Sequence, residues 1–388
     1  MWLVAIAGGV LAVVTGLLPL TGTDSVVSVS QRVGPVLVFL VAITVLAQLA
    51  DEAQVFDVVA DRTARLAGGS VRRLFVLVVV LGWAVTVVLS LDTTAVLLTP
   101  VVLALAGRLG LAPAPFAYAA VWLANTGSLL LPVSNLTNLL AVGRLGLSAT
   151  AYAERMAAPA LVALAASLAV LGVWFRRELT GGYRLPEPVI PADRTLFRVA
   201  AAACLAVGPG FVAGLPVQDV ALAAALPLVV AFAVRRRKAL RFALVPWRLV
   251  LLVGGLFCAV TGLLRLRVVA GVLHAAVGSG TGIAGTLRTA GVAAAASNAL
   301  NNLPAYLALD GTVPAGHRRQ LLAVLLGTNL GPLVLLFGSL ATLLWRERCA
   351  ARGVQVSPGQ FARLGLVGVP VVLAASALAL VAADNLIG

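Results

Sequence analysis

Apolar residues run in blocks too long and too unbroken for a soluble helix. The clear blocks cover residues 2–20, 33–50, 152–175, 219–234, 249–265 and 361–383. An apolar run of roughly 18 residues or more matches the hydrocarbon thickness of a bilayer, so each block predicts a membrane-spanning helix. The first block lacks a charged start and a small-residue cleavage site, and reads as a retained span. Residues 51–68, DEAQVFDVVADRTARLAG, instead alternate charged and apolar positions at helical spacing. That pattern predicts a helix lying along the inner membrane face. Residues 176–197 carry Gly181-Gly182 and three prolines, and predict a cytoplasmic linker joining two halves.

Polar knots interrupt the apolar pattern at four places. The first is Asp92-Thr93-Thr94, ending in Pro100. The second is Asn125-Thr126-Gly127-Ser128, then Pro132, Ser134-Asn135 and Thr137-Asn138. The third is SNALNNLP at 297–304, with Ser297, Asn298, Asn301 and Asn302, and the fourth runs Thr328-Asn329-Leu330-Gly331-Pro332, then Gly338-Ser339 and Thr342. Sliding the chain on itself by 204 residues pairs the first knot with the third and the second with the fourth. Over positions 93–140, 14 of 48 pairs are identical, including Pro100 with Pro304, Asn125 with Asn329 and Gly127 with Gly331. Composition alone would give roughly five. VFLVAITVLAQL (38–49) has a looser counterpart in VGGLFCAVTGLL (253–264).

The repeat predicts two interrupted helices, over 114–143 and 317–346, and two re-entrant hairpins, over 74–107 and 284–310. The first repeat then covers 1–175, and 198–388 holds an extra span and the second repeat. With a cytoplasmic N-terminus, loops 51–73, 108–113, 176–198, 235–248 and 346–363 lie inside and hold 20 of the 28 lysines and arginines. RRRKALR at 235–241 weighs most in that bias, which follows the positive-inside rule. The C-terminus then lies outside. The outer side keeps Arg32, Arg144, Arg155, Arg265, Arg267, Arg288, Arg318 and Arg319. The two repeats thus have opposite orientation, as in secondary transporters.

Composition supports this picture: 61% of the 388 residues are hydrophobic and 11% are charged. The net charge of +14 is accounted for by cytoplasmic loops, so nucleic acid is not implied. Cys204, Cys258 and Cys349 show no disulfide or metal spacing. Without a P-loop, a nucleophile–base set or metal-ligand spacing, an enzyme and a cofactor are not expected.

Chemistry concentrates in the knots. Gly and Pro free backbone N–H and C=O groups, which in a bilayer must face protein or a watery cavity. Freed N–H groups at a helix start attract anions or lone-pair oxygens. Freed carbonyls with Asn and Thr oxygens suit cations. The candidate solute-binding residues are therefore Thr93, Thr94, Asn125, Thr126, Ser128, Ser134, Asn135, Asn138, Ser297, Asn298, Asn301, Asn302, Asn329, Gly338, Ser339 and Thr342. Polar residues of this kind also join helices in membranes. Asp92 is the carboxylate placed deepest in the membrane, and is the candidate proton carrier. His274 and His317 fall near outer loop ends and read as solvated.

At these residues the chain resembles the arsenite/antimonite permeases of the ArsB type, within the ion-transporter superfamily. LGPLVLLFGSLATLLW (330–345), VSNLTNLL (133–140), DTTAVLLTPVV (92–102) and NNLPA (301–305) carry the resemblance. It implies an all-α polytopic membrane fold with two re-entrant hairpins and an elevator-like movement of a transport domain. It implies export of As(III) and Sb(III) oxyacids across the cytoplasmic membrane, driven by protons or by a cytosolic arsenite-stimulated ATPase, and a homodimer embedded in lipid. Asn329 and Asn125 stand where the family pattern leads one to expect Asp, which shifts weight to Asp92. The alternative on this fold is a sodium-coupled dicarboxylate-like carrier or a sodium/proton antiporter. Its cation oxygens would come from Asn135, Asn138, Asn298 and Thr342.

Overall fold

A computed structural model describes residues 2–387 except 17, 21–25, 186, 265, 279, 281 and 315. Arg265, expected on the outer side at the end of the block 249–265, and position 17 of the block 2–20 thus fall outside the described residues. Among the described residues the regular elements are helices, with an isolated bridge between Ser70 and Gly182. The first half runs α1 (Trp2–Val14), α2 (Val26–Glu52), α3 (Val55–Leu66), α4 (Val71–Val88), α5 (Leu91–Thr93), α6 (Thr99–Arg108), α7 (Pro113–Thr126), α8 (Leu136–Leu145) and α9 (Ala149–Trp174). The second half runs α10 (Arg194–Val212), α11 (Val217–Arg235), α12 (Trp247–Leu264), α13 (Arg267–Val277), α14 (Ile283–Leu300), α15 (Asn302–Asp310), α16 (Arg318–Leu330), α17 (Leu340–Ala351) and α18 (Pro358–Ile387). Among the described residues six helical runs, one of them α5 through α6 (Leu91–Arg108), are long and apolar enough to cross a bilayer.

Two boundaries shift from expectation. The helix expected over 51–68 begins at Val55, because α2 continues through Asp51 and Glu52 and the chain turns at Gln54 in a left-handed conformation (φ 62°). The apolar face of α3 (Val55, Phe56, Val58, Ala60, Ala64) is buried against α2, α4 and α6. The linker ends at Asp193 rather than 197. Asp193 caps α10, its Oδ1 accepting from the Thr195 and Leu196 amides at 2.9 and 3.1 Å. The Arg235 guanidinium beside it holds its carboxyl below the usual range.

Gly and Pro stop the paired helices where the repeat requires. Helix α7 ends at Thr126 and a 3₁₀ turn follows at Gly127–Leu129; α16 ends at Leu330 and a 3₁₀ turn follows at Gly331–Leu333. The chain becomes α-helical again at Leu136 and at Leu340, again 204 residues apart. Each restart is capped from within: Asn135 accepts from the Thr137 amide, and Ser339 from the Thr342 amide.

The other pair of interruptions is not in register. The chain breaks before α5 at Ser90 (φ 136°) and before α15 at Asn301 (φ 85°). These breaks are 211 residues apart, seven more than the repeat offset, or two helical turns. Opposite Asn301, at Leu97, the first copy carries a π turn over Thr94–Leu98 instead of a break. The extra residue of a π turn lets one helical run continue where the other copy stops. Asp92 consequently lies on the first turn after the break.

Close crossings hold the second copy together. A Cβ on Gly331 would overlap the Ala294 backbone of α14, and one on Gly338 would come within 2.8 Å of Pro332. Gly331→Ala should therefore destabilise the protein by about 2 kcal/mol, read as a lowered unfolding midpoint in detergent. Helices α1 and α12 also pack as a pair on small residues, with Gly9 against Gly255 and Gly8 against Ala259. A small apolar cluster of Leu40, Val253, Phe257 and Leu303 joins this pair to the rest. The space left alongside it forms the principal cavities.

Candidate functional site

The two copies meet through a closed set of amides. Asn329, at the end of α16, accepts at Oδ1 from Asn135 Nδ2 (2.6 Å) and from Thr137 Oγ1 (3.1 Å). Its Nδ2 donates to Asn138 Oδ1 at 2.8 Å. Asn138 Nδ2 in turn donates to the carbonyls of Ser128 (2.6 Å) and Leu131 (3.2 Å), freed by the α7 interruption. All four side chains are buried. A flipped Asn329 amide would set donor against donor, so the network fixes its orientation. The related position in the first copy is unlike it: Asn125 Nδ2 donates back to the Val121 carbonyl at 2.9 Å, and its buried Oδ1 has no partner. Ser339 and Thr342 bond each other at 2.8 Å.

The asparagines of SNALNNLP serve the second interruption. Asn298 Nδ2 donates to the Gly331 carbonyl (2.7 Å) and its Oδ1 accepts from the Leu335 amide (2.8 Å). Asn301 Nδ2 donates to the Phe337 carbonyl (2.9 Å), and the Asn302 amide to the Gly338 carbonyl (2.8 Å). Backbone groups that could not be left bare in hydrocarbon are thereby paired. In the first copy Ser134 Oγ donates to the Val87 carbonyl (2.9 Å), Thr86 and Thr94 hydroxyls lie 2.7 Å apart, and Ser90 and Thr93 hydroxyls 3.2 Å apart. Hydroxyls back-bonded within their own helices account for three more candidates: Thr126 to Trp122, Ser128 to Asn125 and Ser297 to Ala293. The bonded atoms thus join and end helices rather than stand open to a solute.

Asp92 is different. Its carboxylate forms no hydrogen bond or ion pair among the described residues, and it lines both principal cavities. One, of about 620 Å³, runs along α12 and is lined by Asp92, Asn135, Asn301, Asn302, Leu340 and Ala341 against an apolar wall of α1 and α12. The other, of about 660 Å³, lies beside the 242–249 segment and is lined by Asp92, Thr93, Thr44, Gln48 and Arg248. The cavities share Asp92, Leu249, Leu252 and Leu340. The start of α17 borders both, so its unpaired N–H groups and dipole add positive potential near the carboxylate.

Of the candidate residues, the structure brings Asp92, Thr93, Asn135, Asn301 and Asn302 to the cavities. Thr94, Asn125, Thr126, Ser128, Ser134, Asn138, Ser297, Asn298, Asn329, Gly338, Ser339 and Thr342 are not among the cavity-lining residues. Sequence reasoning missed Thr44, Gln48 and Arg248, which come from elements outside the polar knots. A lone Gln in an apolar span was the available signal for Gln48. Thr137 was visible in its knot, but its bond to Asn329 was not. His317, expected as solvated, is half-buried, and its Nδ1 is enclosed with no partner among the described residues.

An all-helical body of apolar spans, with paired interrupted helices and a carboxylate between two deep cavities, defines a multi-pass membrane transporter. The chain belongs to the citrate transporter family, whose model matches residues 1–328, and shares a family with the arsenical pump membrane proteins. It is 32% identical over 387 residues to the arsenical pump membrane protein of Escherichia coli (strain K12), covering 94% of this chain and 89% of that protein. The arsenical pump membrane protein of Yersinia enterocolitica is 32% identical over 354 residues, covering 84% and 81%. An uncharacterized transporter of Mycobacterium tuberculosis is 27% identical over 369 residues, covering 88% and 84%. Among solved structures, the Alcanivorax borkumensis YdaH transporter superposes with a TM-score of 0.62 over 99% of this chain and 98% of that one, at 16% identity. That likeness is one of fold.

Proposed function

We propose that this transporter exports arsenite and antimonite across the cytoplasmic membrane, and that Asp92 couples export to proton entry. The observation that carries the reading is Asp92 itself, an unpaired carboxylate shared by both cavities. An acid so placed can exchange a proton with either side. The names of the similar arsenical pump proteins supply the solute class. Arsenite at neutral pH is a small uncharged trihydroxide, and Asn301 Oδ1 and Asn302 Nδ2, the ends of those amides not bonded within the protein, with an apolar wall suit it without fixed positive charge. In this reading the N-terminus is cytoplasmic, the repeats are inverted, the segments around Ser90 and Asn301 are hairpin tips, and the C-terminus lies outside. A homodimer with an elevator-like movement fits the same scheme.

The family model's description favours a second reading, uptake of citrate. Charge argues against it. The 620 Å³ cavity has no Lys or Arg in its lining and carries a carboxylate, and Arg248, which lines only the other cavity, with the start of α17 would offset just part of a polyanion's several charges in a low-dielectric site. Sodium coupling is disfavoured on similar grounds. The expected cation oxygens are already engaged: Asn135 Oδ1 with the Thr137 amide, Asn138 Oδ1 with Asn329, Asn298 Oδ1 with the Leu335 amide, and Thr342 Oγ1 with Ser339.

The test is metalloid resistance in an arsenite-sensitive bacterium expressing the chain, with and without sodium. Sodium-independent resistance is expected. Sodium-driven citrate uptake without resistance would overturn the proposal. Trivalent arsenic also binds thiols, which gives a second expectation. Cys204, Cys258 and Cys349 line neither principal cavity, so a cysteine-free variant should confer resistance at the wild-type level. Loss of resistance in a folded cysteine-free variant would point to a thiol site.

A further inference from the structure

A third cavity, of about 420 Å³, lies away from the solute site, between α3, the 188–191 stretch of the linker and the start of α10. Arg62, Arg65, Arg194 and Arg198 line it, with Asp61. Asp61 is buried and already neutralised: Arg65 Nε is 2.9 Å from its Oδ2, and Arg108 is 3.7 Å from its Oδ1. Arg62, Arg194 and Arg198 are exposed and form no ion pair among the described residues. Three cations thus face a common hollow without a counter-charge.

The other wall is apolar. Val58, Val189, Ile190 and Phe197 line it, and Ile190 is 65% exposed. The position is also informative. Helix α3 connects the end of the α2 span to the start of the α4 span, and Arg194 opens α10, so the cavity sits at the level where spans meet water. A hollow that pairs unneutralised arginines with apolar side chains at that level matches a phospholipid, with phosphate on the guanidinium groups and glycerol and upper acyl carbons on the wall. A free anion would use the arginines but not the wall.

We propose that this cavity is a binding site for an anionic phospholipid headgroup, held by Arg62, Arg194 and Arg198. The lipid would staple the linker to α3, and so brace the joint between the two halves. This site stands independently of the solute transported.

The full chain, purified in mild detergent, is titrated with phosphatidylglycerol, phosphatidylcholine or inorganic phosphate, and binding is followed by the unfolding midpoint and by lipid retained in native mass spectra. Phosphatidylglycerol should bind and raise the midpoint by about 4 °C at saturation, phosphatidylcholine should not, and added salt should weaken the effect. The double variant Arg194→Gln/Arg198→Gln should bind phosphatidylglycerol about thirtyfold more weakly. Should that variant fail to fold, the salt dependence and headgroup preference of the wild-type protein still decide. Equal binding of the two lipids, or unchanged affinity in a folded double variant, would overturn the proposal. Stabilisation by inorganic phosphate with none by phosphatidylglycerol would reassign the site to a soluble anion.

Discussion

Asn in place of Asp92 is expected to abolish the proposed proton-driven arsenite export and to leave the folded protein as stable as before, or more so. The two halves of this expectation have one physical cause. A carboxylate with no hydrogen bond or ion pair in a largely apolar cavity is an unfavourable thing to fold, because neither water nor protein fully replaces its hydration. The amide has nearly the same shape and no charge, so Asp92→Asn should raise stability by about 1 kcal/mol. What it removes is the capacity to bind and release a proton. Asp92→Glu keeps that capacity on a longer arm, and should retain part of the flux. The measurement is arsenite accumulation in everted membrane vesicles under an imposed pH gradient, alongside the unfolding midpoint of each purified variant. Flux in the Asn variant at the wild-type level, with unchanged dependence on the gradient, would remove Asp92 from the coupling role. A large fall in stability would instead make Asp92 a structural residue with a partner in another state.

Much of this architecture is legible in the chain because Gly and Pro mark it. The interruptions of α7 and α16 begin at Gly127 and Gly331 and end at Leu136 and Leu340, all in the 204-residue register. The break before α5 is not legible in the same way. It falls at Leu89-Ser90, which carry no breaker, while the Pro100 that pairs with Pro304 lies inside a continuing helical run. A π turn absorbs the mismatch, and a π turn has no composition of its own. The site is legible as a set of residue types, but not as a set of roles. Asn, Ser and Thr in a membrane can face a solute, end a helix or join two helices, and side-chain identity does not separate these uses. Asn298 and Asn302 show the difference: four positions apart, one ties the interruption after Gly331 while the other reaches the cavity. The pairing of Asn329 with Asn135 and Asn138 spans more than 190 residues, and depends on how the two copies dock. The wall of α1 and α12 is equally a matter of docking, set by glycines that look unremarkable in an apolar run.

The second large effect is expected at Asn329, where an acid would be the closest replacement in shape. Asn329→Asp keeps the oxygen that accepts from Asn135 and Thr137 but exchanges the Nδ2 donor for a second oxygen. That oxygen would face Asn138 Oδ1, now 2.8 Å from the nitrogen. Asn138 cannot turn its amide to help, since its Nδ2 is committed to the Ser128 and Leu131 carbonyls. Two acceptors would then oppose each other in a buried site, one of them charged, at a cost of about 3 kcal/mol. Acid offers the remedy: a protonated carboxyl supplies the missing donor. The variant's unfolding midpoint should therefore lie well below wild type at pH 8 and close much of that gap at pH 5. Asn329→Leu removes donor and acceptor together, so it should be destabilised at both pH values with no recovery. Because the network joins the two copies across the site, flux should fall with stability in both variants, unlike Asp92→Asn, where the two should part. A midpoint for Asn329→Asp that matches wild type at pH 8 would mean that the site accommodates the charge, through a bound cation or a rearranged Asn138, and that the amides are not a lock between the copies.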